Sequence, residues 1–275
     1  MTPAARLRSL LAAPGILAAP GAYDALTAKL IEAAGFPVVY MTGYGTAAAH
    51  GHADVGILGL DEMSANAARI AAAVSVPVIA DADTGYEDAG ETMRRYIDAG
   101  VAGIQLEDQA WPKKCGHMEG KVLVPAAEMV QRIQSAVVAR GEAGTVIVAR
   151  TDAIAVEGFA AALERAAAYA DAGADLLFIE APETREQVEA IPRELPGLPH
   201  VYNIAPKSPS IPLDELEQLG YALAIYPGIC FAATMIACRD ALDALHASGQ
   251  QENLLPWKEN FAKWNRFLGG ETTRS

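Results

Sequence analysis

The chain has 275 residues, 52% hydrophobic and 20% charged, enough apolar material for a large core and too much for a disordered chain. Its 21 Lys+Arg stand against 34 Asp+Glu, a formal net charge of −13 that excludes a broad basic face for nucleic acid. No run of roughly 18 apolar residues is present. The short apolar N-terminus breaks at Pro14-Gly15, so no secretory signal or membrane contact is expected and a cytoplasmic location is.

Short β-rich runs recur in chain order at 16–18, 38–41, 78–80, 103–106, 146–149, 176–179, 200–202 and 223–226. Their near-continuous apolar character suits strands covered on both faces. Between them lie stretches of helical composition at 22–34, 62–73, 91–99, 159–172 and 212–219. Asp61 is the expected N-cap of the second, and Gly35, Gly100, Gly173 and Gly220 are the expected C-terminal stops. Eight strand–helix units predict an α/β fold, a (β/α)8 TIM barrel, with a doubly wound open sheet as the alternative. With no Pro/Ser-rich linker, residues 1–275 read as a single barrel domain with extra helices at its C-terminal end. That extension starts near residue 229, with a helix from Cys230 to Ser248 and a tail from Leu254 to Leu268.

In such a barrel, chemistry sits on the loops after the strands. Those positions carry Asp81, Asp83, Glu107 with Asp108-Gln109, Arg150, Glu180 and Asn203. Any one acid reads as readily as an N-cap or a partner of Arg150. Four acids at one barrel end, Asp81, Asp83, Glu107 and Glu180, point instead to a hard cation with oxygen ligands. Gly43-Tyr44-Gly45 reads either as a tight turn or as backbone that approaches a substrate carboxylate. His50 and His52 lie in the same loop, where a substrate contact is conceivable.

The segment from Lys113 to Lys121 places three lysines, Cys115 and His117 within nine residues of an otherwise acidic chain. The cations would favour the thiolate of Cys115 and lower its pKa, and Gly116 and Gly120 would let the segment bend as a lid. An ordinary solvated basic turn is the competing reading. Zinc is disfavoured, because Cys115 and His117 supply only two ligands. Cys230 and Cys238 read as core residues.

Taken together, Thr42-Gly43-Tyr44-Gly45, Asp81-Ala82-Asp83-Thr84-Gly85-Tyr86, Glu107-Asp108-Gln109, Lys114-Cys115-Gly116-His117 and Ala149-Arg150-Thr151-Asp152-Ala153 resemble the isocitrate lyase/phosphoenolpyruvate mutase superfamily. The Lys-Cys-Gly-His segment resembles its lyase branch. The resemblance implies a homotetramer with an exchanged C-terminal helix and a Mg2+ (or Mn2+) cofactor. It implies Asp81 and Asp83 as metal ligands, with Glu107 in the metal's shell through water. Thr42, Gly43, Tyr44, Asp54, Lys114, Gly116, His117, Arg150 and Asn203 become substrate contacts. Cys115 becomes the acid/base, and Tyr44 or a metal-bound hydroxide the base. The implied reaction cleaves a 2-hydroxy di- or tricarboxylate, such as a substituted malate or a methylisocitrate, into an α-keto acid and a carboxylate. Oxaloacetate hydrolysis, a carboxyphosphonoenolpyruvate-type P–C mutase and a non-catalytic dicarboxylate binder are the alternatives. After Asn203 the chain continues Ile-Ala-Pro-Lys-Ser, so Ala205 and Pro206 stand where the lyases usually have polar residues. That departure points away from isocitrate and 2-methylisocitrate toward a less usual acid.

Overall fold

The computed structural model describes residues 1–250 and 257–269. The chain divides into two units, Met1–Phe231 and Ala232–Ser275. Within the first, eight parallel strands close into a barrel in sequence order. They are β1 (Leu17–Ala22), β2 (Val39–Met41), β3 (Val78–Asp81), β4 (Gly103–Glu107), β5 (Val146–Thr151), β6 (Leu176–Ile179), β7 (His200–Asn203) and β8 (Tyr221–Tyr226). Closure is made by β1 on β8, with Leu17 opposite Leu223 and Pro20 opposite Tyr226. The expected (β/α)8 barrel is therefore the observed fold, and the open sheet is not.

Strand side chains alternate between two apolar layers. Val78 and Ala80 of β3, and Ile147 and Ala149 of β5, pack outward against the helices. Ile79, Val146, Val148, Leu176, Phe178 and Val201 fill the barrel interior. Continued along each strand, the inward parity reaches Asp81, Glu107, Arg150, Glu180 and Asn203 at the C-terminal mouth. The period of two that builds the core thus also delivers the polar cluster.

The first outer helix starts at Ala25 rather than Ala22, because β1 runs on to Ala22 and Asp24 caps the helix, accepting from Thr27 N–H at 2.7 Å. The second starts at Leu60 with Gly59, not Asp61, as N-cap. Glu62 reaches back to Gly59 N–H at 3.0 Å, and Asp61 pairs with Arg95 at 2.5 Å. Gly35, Gly100, Gly173 and Gly220 all stop helices at positive φ, as expected. The helices at Pro3–Ala12, Gly43–Ala49, Ala126–Arg140 and Arg185–Glu194 are not among those expected from composition.

The helix Pro3–Ala12 plugs the bottom of the barrel. Thr2 caps it, Arg8 pairs with Asp175 at 2.9 Å, and Leu7 is fully buried among Ala19, Val38, Tyr40 and Ile79. Leu7→Ala is expected to cost about 2–5 kcal/mol, since it opens a cavity in a closed interior that cannot collapse. Urea denaturation measures it, and a loss below about 1 kcal/mol would mean the plug is dispensable.

The helix Ile229–Ser248 begins close to the expected Cys230. Cys230 packs partly against the outer apolar layer, whereas Cys238 is exposed and not the expected core residue. Nothing on that helix is buried, and Met235, Ile236 and Leu242 are exposed with it. A helix at Trp257–Phe267 follows, while residues 254–256 of the expected tail lie outside the described residues. No helix among the described residues is long and apolar enough to cross a membrane.

Candidate active site

The barrel mouth collects buried carboxylates around one buried arginine. Arg150, at the end of β5, donates through Nε and Nη2 to Asp152 at 2.9 and 3.1 Å. Its guanidinium also lies 3.3 Å from Glu180 and 3.5 Å from Glu107, and stacks over Phe178 at 5.3 Å. Burial pushes Glu180 upward, but Arg150, His117 and Asn203 outweigh it and hold the carboxyl down at about 2. Asn203 Nδ2 donates to both Glu180 oxygens at 3.1 and 3.2 Å, and His117 Nε2 lies 3.2 Å from Glu180 Oε1.

Across the mouth, Asp81 ends β3 and Asp83 follows with φ 49, its N–H on Asp81 Oδ1 at 3.1 Å. Gly43, in the turn after β2, packs so close that a Cβ would meet Asp81 Oδ2 at 2.6 Å, so a larger residue would displace that carboxylate. Thr42 is committed to capping the short helix it starts, accepting from Gly45 N–H at 3.2 Å. Tyr44 stands at the rim, 41% exposed, its ring edge-on to Phe231 at 5.2 Å. His50 lies in the same loop, where its Nδ1 sits 2.9 Å from the Thr46 carbonyl.

Burial, then the neighbouring Asp83, pushes Asp81 up to about 6. Burial likewise raises Glu107, whose Oε1 is buried with no hydrogen bond. A hard divalent cation would offset that crowding of oxygen donors, so these residues fit one. Among the described residues, no three His, Cys, Asp or Glu side chains converge tightly enough to hold a metal as they stand. Lys113 lies among these carboxylates. Its buried Nζ lies 2.5 Å from Asp54 and 2.7 Å from Asp83. By composition this lysine counts only as local charge.

The segment 113–121, the expected lid, lies over the mouth. Gln109 clamps Lys114 by donating to its carbonyl at 2.8 Å and accepting from its N–H at 3.0 Å, and Cys115 N–H donates to the Asp54 carbonyl at 3.0 Å. Gly116 lies against Arg150 and Glu180 so tightly that a Cβ would stand 2.3 Å from Arg150 Nη2. Lys114 turns away, its Nζ toward the Glu119 carbonyl at 3.4 Å, and is not brought to the cluster. The expected thiolate is not favoured at Cys115. Burial pushes its thiol up, and the neighbouring lysines are engaged elsewhere, Lys113 with Asp54 and Asp83 and Lys121 with Asp152. Burial thus favours the thiol over the thiolate beside the charged cluster.

A closed barrel with a carboxylate–arginine cluster and a cysteine-bearing loop at its C-terminal mouth defines a barrel enzyme with its candidate active site at that mouth. The family model described as phosphoenolpyruvate phosphomutase matches residues 7–246. The 2,3-dimethylmalate lyase of Eubacterium barkeri is 44% identical, over 100% of this chain and 96% of its own. A solved oxaloacetate acetylhydrolase in complex with 3,3-difluorooxalacetate superposes with a TM-score of 0.88 at 32% identity, covering 98% of each chain. A phosphonopyruvate hydrolase in complex with oxalate and Mg++ gives 0.89 at 28%, covering 98% of this chain and 95% of its own. The chain belongs to the PEP mutase/isocitrate lyase superfamily.

Proposed function

We propose that this protein is a Mg2+-dependent carbon–carbon lyase that splits a substituted malate, 2,3-dimethylmalate first among the candidates, at C2–C3. The observation that carries the reading is the seating of the Cys115–Gly116 segment, with Cys115 N–H on the Asp54 carbonyl and Gly116 packed against Arg150 and Glu180, where burial raises the thiol. Asp81 and Asp83, with Glu107 through water, would hold Mg2+ or Mn2+. An ion held there would supply positive charge to offset the negative charge of the bound acid. The Mg++-containing relative and the crowded oxygen donors support that assignment.

Arg150 stabilises the negative charge that develops as C2–C3 breaks, from a position fixed by Asp152 and Glu180. The turn at Thr42-Gly43-Tyr44 and the side chains of Asp54, His117 and Asn203 orient the acid. Gly116 and Lys114 act through the backbone of the lid. Tyr44 is the candidate base for the 2-hydroxyl proton. The bonding electrons stay on C3, and Cys115 delivers its proton there, so 2,3-dimethylmalate would give pyruvate and propionate.

The Ile229–Ser248 helix, with its exposed apolar side chains, is our candidate for exchange between subunits of a homotetramer, an extension of the single barrel domain. Three free cysteines suit a reducing, cytoplasmic setting.

A panel of 2,3-dimethylmalate, 2-methylisocitrate, isocitrate and oxaloacetate with Mg2+, read by keto-acid and oxalate detection, tests the activity. Pyruvate from 2,3-dimethylmalate is the expected result. Oxalate from oxaloacetate alone would favour hydrolytic cleavage, the second reading, which the likeness to oxaloacetate acetylhydrolase supports. No turnover of any of the four by protein that binds Mg2+ would sink both readings.

A further inference from the structure

We propose that Lys121 is a positioning residue, a buried latch that holds the Cys115–Gly116 segment down on β5 and couples the lid to Arg150. Its side chain is 2% exposed. The Nζ donates to the carbonyl of Gly116, and to Asp152 Oδ1 at 3.0 Å. The same Asp152 carboxylate takes both hydrogen bonds from Arg150. One ammonium therefore ties the backbone carbonyl next to Cys115 to the carboxylate that aims the arginine.

Of the other lid anchors, His117 meets Glu180, just past β6, at 3.2 Å, and the rest lie on the opposite side. Lys113 holds the segment to Asp54 and Asp83, Gln109 clamps Lys114, and the Asp54 carbonyl takes the N–H of Cys115. Lys121 alone among these anchors reaches β5. Gly116 has to sit where a Cβ would overlap Arg150 Nη2, a contact that tolerates little displacement. An amine that merely balanced Asp152 would have no need of the Gly116 carbonyl. Desolvating that amine is costly unless its donors are used, and the lid carbonyl uses one. Seating the lid and orienting Arg150 become one event.

The role rests on the reading of Cys115 as the proton donor, but its main test needs no substrate. In full-length protein carrying Cys230→Ser and Cys238→Ser, the rate at which iodoacetamide alkylates Cys115 is followed against pH. Access sets the plateau of that profile, and thiol acidity sets its midpoint. Lys121→Met is expected to raise the plateau about tenfold as the lid opens locally. The turnover of whichever acid the protein cleaves should fall by on the order of 10² in kcat, with KM little changed. Lys121→Arg, which keeps a cationic donor, should recover part of both.

The double variant Lys121→Met/Asp152→Asn separates the latch from simple charge balance. It is expected to melt nearer the parent while Cys115 stays unprotected. An unchanged plateau in Lys121→Met, or a double variant that regains protection of Cys115, overturns the proposal. Should Lys121→Met alone fail to fold, the charge-balanced double variant decides the question by the same plateau. A protein inactive on every acid but showing the raised plateau would retain the latch and lose the lyase reading.

Discussion

Arg150→Met should be the most damaging single substitution in the barrel, abolishing turnover and lowering stability by about 3–5 kcal/mol at neutral pH. The guanidinium is the shared counter-charge of Glu107, Asp152 and Glu180, at distances of 2.9 to 3.5 Å. Methionine fills much of the volume but removes the charge that these three carboxylates share in a closed interior. Glu180 supplies the sign of the pH dependence. In the native protein its folded pKa, about 2, lies below the unfolded carboxylate value. Its ionised form therefore adds stability that is present above the unfolded pKa and lost as pH falls toward 2. Without Arg150, burial dominates and Glu180 protonates at higher pH, so the deficit of the variant should shrink as pH falls from 7 toward 4. Urea denaturation across that range measures it. A deficit independent of pH would mean that lost packing, not lost charge, explains the damage. Arg150→Lys keeps one charge but not the fork that meets Asp152 through two nitrogens, so it should fold better and still turn over poorly.

The barrel was legible because its signal is periodic and repeated. Each buried strand is a short apolar run, and Gly35, Gly100, Gly173 and Gly220 mark helix ends. The acids were legible as a cluster because strand ends sit at one face of such a barrel. Their separate fates were not. Asp108 follows Glu107 directly, yet its side chain is spent on Thr151 at 2.6 Å and Tyr169 at 2.8 Å outside the barrel. The parity of β4 could have separated the two, since Gln105 and Glu107 share the inward face and Asp108 does not. The lid was legible only as composition. Three lysines read as one positive field, but the fold disperses them to Asp54 and Asp83, to the Glu119 carbonyl, and to Asp152. No spacing rule announces which lysine of a loop will be buried. For that reason the shift at Cys115 is opposite in sign to the sequence expectation. The helix at Gly43–Ala49 hid behind two glycines that propensity counts against helices, though Thr42 offers the cap.

Cys115→Ser is the second substitution with a large expected effect, and its signature differs from that of Arg150. The serine hydroxyl is nearly the size of the thiol, so the melting temperature and the binding of Mg2+ should stay close to the parent. A hydroxyl releases its proton far less readily, and turnover should fall by roughly 10²–10⁴. The sign of the native pH dependence follows from the role. A proton donor works while it is protonated, so activity is present below its pKa and lost above it. Burial lifts the Cys115 thiol, which moves that alkaline loss upward rather than toward neutrality. The pH profile of Cys115 alkylation, in protein with the other two cysteines replaced by serine, should therefore have its midpoint above that of an ordinary thiol. A midpoint below it would restore the thiolate expected from the sequence and make Cys115 a base. Turnover by Cys115→Ser at the parental rate would remove the cysteine from the chemistry altogether, leaving the lid as a device for excluding water from Arg150 and the acids beneath it.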